Sequence, residues 1–217
     1  LYVMLERVKK TKNADFSDMT LNEFKKLLKG NVDIPLLEER YNTAVSISKK
    51  VNKKMNGNFY GYIKDIYTDK ELFDIVIKNF DSFKDERKYK GETIYFYKLA
   101  QLLVSDVLHI REKLENITVD YSNLVGCSDY KIPQTLRTLG IIEYNDELSN
   151  MVDQKIELVN SSEFEVEIRA SQIVVIDYIS KKIANSKPMD INDFFFVYSK
   201  KVKDIVKPYH LCRNANY

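Results

Sequence analysis

Ser128-Asp129-Tyr130-Lys131-Ile132-Pro133-Gln134 is the stretch of this chain whose residue types best suit bond-breaking chemistry. Pro133 belongs in the first turn of a helix. Asp129 is therefore expected just ahead of that helix, joined on its other side to a short helix over 123–125. The positive end of a helix stabilises a negative charge. A carboxylate held there can stabilise an electron-poor carbon, attack it, or activate water. An N-cap role also explains an Asp at this position, and the pattern alone favours the cap.

A second set lies on a helix expected over 93–108. Lys98, Gln101 and Ser105 share one face at spacings of three and four. Asp106 falls about 80° from Lys98 around a 3.6-residue helix, while Ile94, Leu102 and Leu103 belong to the apolar side. Such a polar stripe either lines a pocket or is the wet face of an amphipathic helix. Glu165 and Arg169 stand four apart, the spacing of an intrahelical ion pair, although the planar fork of Arg169 also suits a phosphate. Asp193 precedes Phe194-Phe195-Phe196 and Tyr198. An acid beside three phenylalanines is expected to cap, to be paired or to be used. The tail carries Pro208-Tyr209-His210-Leu211-Cys212-Arg213 and runs to Tyr217, a segment that composition alone reads as frayed.

The elements that position these residues are mainly helical. Thr20-Leu21-Asn22-Glu23 has the form of a capping box, with Gly30 closing its helix. Pro35 precedes a long helix that runs to Asn56-Gly57. Thr68 and Glu71 cap another, with Leu72, Phe73, Val76, Ile77 and Phe80 inward. Ser162 and Glu165 cap a helix carrying Val166, Ile173, Val174, Ile176, Ile179 and Ile183, and Asp190 starts the last. Only 59–66 and 156–159 read as strands, and the charged break at 84–90 is short. The expectation is one compact all-α domain over 1–217, with at most a minor β element.

Composition narrows the function. Hydrophobic residues at 44% and charged residues at 30% describe a soluble globular chain with no run long enough for a membrane span. Lys+Arg 34 against Asp+Glu 32 gives a net charge of +2, too balanced for a stable nucleic-acid complex. The lysine clusters at Lys9, Lys10 and Lys12, at Lys49, Lys50, Lys53 and Lys54, and at Lys200, Lys201 and Lys203 read as solvated helix faces. Cys127 and Cys212, with His109 and His210, form no metal-ligand pattern and no disulfide framework. A reducing, cytoplasmic compartment fits, with no cofactor or metal and a monomer favoured. The chain begins at Leu1 rather than Met, so an upstream segment is expected to be missing.

Seven segments together resemble the queuosine-salvage family, the queuosine 5′-phosphate N-glycosidases. They are Ile34-Pro35-Leu36-Leu37-Glu38-Glu39-Arg40, Asn79-Phe80-Asp81-Ser82-Phe83-Lys84-Asp85-Glu86, and Phe96-Tyr97-Lys98-Leu99-Ala100-Gln101 with Val104-Ser105-Asp106. The Asp129 segment follows, then Leu139-Gly140-Ile141-Ile142-Glu143-Tyr144, Glu165-Val166-Glu167-Ile168-Arg169-Ala170 and Pro208-Tyr209-His210. Leu99 stands where the family usually has Arg, Leu108 where it has Trp, Tyr198-Ser199 where it has Trp-Asp, and Leu211 where it has Arg. The family also carries a further substrate-contacting segment upstream.

The resemblance implies a helical bundle similar to helix-hairpin-helix DNA glycosylases. It implies hydrolysis of queuosine 5′-phosphate, a small-molecule nucleotide, to queuine and ribose 5-phosphate without a cofactor. Asp129 and Lys98 are the catalytic candidates it implies. Asp193 would read the base, Tyr198 would stack on it, and Tyr130, Asp106, Arg169, His210 and Arg213 would complete the substrate site. Two alternatives from other classes are a helical module that holds a nucleotide or nucleic acid without cleaving it, and a DNA-repair glycosylase. The balanced charge and the lack of a Gly-rich hairpin loop count against the latter.

Overall fold

The computed structural model describes residues 2–11, 14–202 and 205–216; Leu1, Lys12, Lys203 and Tyr217, named above, lie outside them. The described residues form ten α-helices and a single two-stranded sheet. Contacts gather into two units, Leu1–Ile66 and Tyr67–Tyr217.

The first unit contains α1 (Tyr2–Thr11), α2 (Leu21–Leu27), α3 (Leu37–Met55) and α4 (Phe59–Ile63). The expected capping box is present: Thr20 accepts from the Glu23 N–H, and Glu23 accepts from the Thr20 N–H. The Phe24 ring packs edge-on against Phe16 and Tyr41, with centroids 6.3 and 5.7 Å away. Helix α3 ends at Asn56, which takes a left-handed φ of 49° followed by Gly57 at 71°, as the Asn-Gly pair required. The expected strand over 59–66 is helical at Phe59–Ile63, because Asn58 caps it by accepting from the Gly61 N–H.

The second unit contains α5 (Asp69–Asn79), β1 (Glu86–Tyr89), β2 (Glu92–Tyr95), α6 (Lys98–Glu115), α7 (Lys131–Thr138), α8 (Asp146–Asp153), α9 (Glu163–Ser180) and α10 (Pro188–Lys201). The charged break at 84–90 is in fact the start of an antiparallel hairpin, with Glu86 opposite Tyr95 and Tyr89 opposite Glu92. Lys90 and Gly91, with φ of 47° and 89°, make its two-residue turn. The helix expected from 93 therefore begins at Lys98 and runs on to Glu115, and Ile94 belongs to β2. Residues 122–123 form a turn and 124–125 no regular element, so the short helix expected over 123–125 is absent, and 156–159 contributes only an isolated bridge between Glu157 and Leu211. Ile183 lies beyond α9.

Two apolar clusters organise this unit. Ile132, Leu136, Ile176, Ile191 and Phe195 draw α7, α9 and α10 together. Leu148, Val152, Leu158 and Ile168 seat α8 against α9. Separately, α5 packs on α6 with Leu72, Val76, Val104 and Leu108 buried. No helix among the described residues is long and apolar enough to cross a membrane.

Candidate active site

The loop that carries Asp129 is held by buried amide side chains from three helices. Gln101 of α6 accepts from the Val125 and Gly126 N–H groups through its Oε1, at 2.7 and 3.2 Å, and donates through Nε2 to the Phe96 carbonyl at 2.9 Å. Asn192 of α10 accepts from the Cys127 N–H at 2.9 Å. Gln172 of α9 donates to the Cys127 carbonyl at 2.9 Å and accepts from the Asp129 N–H at 3.2 Å. Ser128 Oγ donates to the Arg169 carbonyl at 2.9 Å. Gly126 sits at φ 109°, and a Cβ there would stand 3.4 Å from both Asn192 Oδ1 and Ile176 Cδ1. A loop with its backbone polar groups satisfied in this way can be buried.

Asp129 emerges half-buried from that loop. Its Oδ1 accepts the Lys131 N–H at 2.8 Å, at the first residue of α7. Pro133 is thus the third residue of the helix rather than its first. Asp129 satisfies one donor at the helix start, and its Oδ2 has no partner among the described residues. The cap and the catalytic readings of Asp129 are therefore compatible: one oxygen serves the helix and the other faces outward.

Charged side chains from several elements act electrostatically on Cys127. Burial pushes its thiol up to about 12; the Lys98 ammonium opposes this, while Asp129, Asp193 and Asp106 push the same way. One cation and three carboxylates are thus near enough to act electrostatically on one buried thiol. Lys98 is the first residue of α6, after Tyr97 at φ 49°. A cation at the positive end of a helix is electrostatically unfavourable, and Lys98 makes no ion pair among the described residues. Asp106 is raised by desolvation first and by Asp193 as well, against a lowering by His109. Asp193 is exposed, and its Oδ1 accepts from Asn192 Nδ2 at 3.1 Å. Tyr130 lies beside Asp129 with its ring 4.9 Å from that of Tyr209, and Lys131 Nζ lies 5.7 and 5.1 Å from the two centroids.

The other expected site residues are engaged elsewhere. The Arg169 guanidinium, fully buried, grips Asp85 with both ends of its fork and reaches Glu165 at 3.3 Å. Arg87 contacts the same Asp85 at 3.1 Å. Glu165 and Arg169 are thus half of a buried four-residue cluster, not a solvated pair on a helix surface. His210 is buried, and its imidazole is lowered to about 4 by desolvation and then by the Arg169 charge. Arg213 is exposed, 3.4 Å from Glu157. Tyr198 stacks on Phe194 at 5.8 Å with the rings 13° apart.

The sequence pattern does not single out Gln172 and Asn192. Gln172 had a visible signal, an amide one turn from Ile168 and Ile176 on an apolar face, where a buried polar group must be hydrogen-bonded. Asp85 and Arg87 were hidden because a charged stretch reads as surface.

A protein-family model described as queuosine salvage protein matches residues 2–217. A Mus musculus protein named queuosine 5′-phosphate N-glycosylase/hydrolase is 28% identical over 224 residues, covering 95% of this chain and 66% of its own length. A Bos taurus protein of the same name is 31% identical over 173 residues, covering 78% and 51%. A Sphaerobacter thermophilus protein, again of that name, is 32% identical over 171 residues, covering 78% and 53%. This chain therefore spans between about half and two thirds of the length of these relatives.

Proposed function

Because the chain belongs to the queuosine salvage protein family, we propose that it hydrolyses the N-glycosidic bond of queuosine 5′-phosphate, with Asp129 as the carboxylate at the reacting carbon. The observation that carries this reading is Asp129 at the start of α7, on a loop fixed from three helices, with Lys98, Asp106 and Asp193 near enough to act electrostatically on the same buried Cys127.

The chemistry of the base makes such a carboxylate necessary. In a 7-deazaguanine the purine N7 is a carbon, so it cannot be protonated to help the base depart. As the C–N bond breaks, its electron pair leaves with the base, and the sugar carbon gains oxocarbenium character. A fixed anion beneath that carbon stabilises the charge, and a water oxygen then completes the sugar hydroxyl. One water proton ends on the released base. Asp129 is suited to this because Lys131 N–H fixes one oxygen and leaves the other for the sugar.

Lys98 supplies the cation for the 5′-phosphate, or for holding the negative charge on Asp129. Its unfavourable place at the start of α6 is compensated when an anion binds. Asp193 offers two acceptor oxygens to the adjacent N1–H and 2-amino donors of a guanine-like base, with Asp106 beside it. Tyr130 and Tyr198 provide the aromatic surfaces. Arg169 and His210 serve the site from within, through Ser128 and the buried ion cluster, and Arg213 is the outermost member.

Incubating the chain with queuosine 5′-phosphate and following free queuine by chromatography tests the reading. Release of base is expected, and Asp193→Ala is expected to raise KM with little change in thermal stability. Tight binding of the nucleotide without any release would replace this reading by a non-catalytic binding module.

A further inference from the structure

Two buried amides touch both the clamped loop and, directly or through one backbone group, a carboxylate of the site. Gln172, with no exposed surface, spans Ser128: its two ends hold the Cys127 carbonyl and the Asp129 N–H. Among the described residues it makes no hydrogen bond with Asp193. Asn192, equally enclosed at 4% exposure, accepts the Cys127 N–H and donates to the Asp193 carboxylate. Among the described residues it makes no hydrogen bond with Asp129. Each amide therefore ties one acid to the shared Cys127 backbone from a different helix.

Resting on the proposed glycosidase reading, we propose that Gln172 and Asn192 are positioning residues with separate duties, Gln172 setting Asp129 for the bond-breaking step and Asn192 setting Asp193 for recognition of the base. The physical reason is that a primary amide offers a fixed donor and a fixed acceptor about 2 Å apart without charge. Buried among Ile168, Ile176 and Ile191, a charged group would be expelled or neutralised. A hydroxyl would lack the reach. Displacing a reacting carboxylate by about 1 Å costs on the order of a hundredfold in rate. An acid that binds the ground state and transition state alike changes KM instead.

The experiment combines kinetics with amide hydrogen exchange on the free chain. Gln172→Met, similar in volume, is expected to lower kcat by about a hundredfold with KM little changed. Asn192→Leu is expected to raise KM by about tenfold with a smaller effect on kcat. Exchange should be reciprocal: the Asp129 N–H loses protection in Gln172→Met while the Cys127 N–H keeps it, and the opposite holds in Asn192→Leu. In the unmutated chain both amides, though outside any helix, should exchange far more slowly than a solvent-exposed loop N–H without a hydrogen bond among the described residues, such as that of Thr118. That measurement needs no variant to fold.

Reciprocal exchange with no turnover of queuosine 5′-phosphate by the unmutated chain would sink the glycosidase reading and leave the positioning geometry standing. Normal turnover with equal kcat and KM losses in both variants, or fast exchange of both amides in the unmutated chain, would overturn the division of duties.

Discussion

Lys98 is the residue whose placement is hardest to explain by folding alone. It opens α6, where the unpaired N–H groups of the first turn already carry partial positive charge. Replacing it with an uncharged side chain should therefore help the fold while harming the site. Lys98→Met is expected to raise stability by about 0.5 kcal/mol, read by chemical denaturation, while lowering kcat/KM for queuosine 5′-phosphate by at least about tenfold. A fall in stability would mean that the ammonium serves the fold. Asp85 is the opposite case. It is buried against Arg169 and Arg87, and its removal leaves two buried cations with Glu165 as the one remaining carboxylate of the cluster. Asp85→Ala is expected to cost about 3–5 kcal/mol, and a loss below about 1 kcal/mol would show that water or a neighbour takes its place.

At the scale of elements, the helices announced by side-chain caps were the legible ones. Thr20, Thr68 and Ser162 each accept the N–H three residues on, as their spacing to Glu23, Glu71 and Glu165 required. Ser162→Ala should thus cost about 1 kcal/mol, and an unchanged denaturation midpoint would remove the cap from the account. The hairpin was not legible, because Glu86-Arg87-Lys88-Tyr89 places only Arg87 inward, and no apolar alternation marks a strand whose buried residue is charged. Starting α6 too early followed from the same omission. Pro133 signalled α7 but misplaced its start by two residues, since proline is tolerated throughout a first turn. The roles proposed for Asp129 and Lys98 come only through family resemblance, because an Asp before a helix and a Lys on a polar stripe are each commonplace. What the sequence could not reveal was the loop clamp, since Gln101, Gln172 and Asn192 lie on three helices far apart in the chain.

For the molecule as a whole, burial of His210 couples folding to pH. Its imidazole is lowered from 6.5 to about 4 in the folded chain, so the unfolded chain binds this proton first as pH falls. The stability it contributes is complete above about pH 6.5 and is lost progressively toward pH 4. At pH 5 the loss is about 2 kcal/mol. His210→Gln is expected to remove that component, so the drop in stability from pH 7 to pH 5 should be shallower in the variant than in the unmutated chain. Parallel pH dependences would place the imidazole in contact with water. The tail that holds His210 also donates and accepts at 157–158, with the Leu158 N–H bonded to the Leu211 carbonyl at 2.7 Å, and Asn216 reaches Asp85 at 3.4 Å. A segment that composition reads as frayed is thus part of the packed unit.

The central claim is that the Asp129 carboxylate acts on the sugar carbon as the base departs. Its most direct measurement is the single-turnover rate of queuosine 5′-phosphate cleavage by Asp129→Asn, at nucleotide occupancy matched by calorimetry to the unmutated chain. The amide keeps the shape and the Lys131 contact but carries no charge, so the account expects binding to survive and the rate to fall by at least about a thousandfold. A rate within threefold of the unmutated chain at equal occupancy would contradict it.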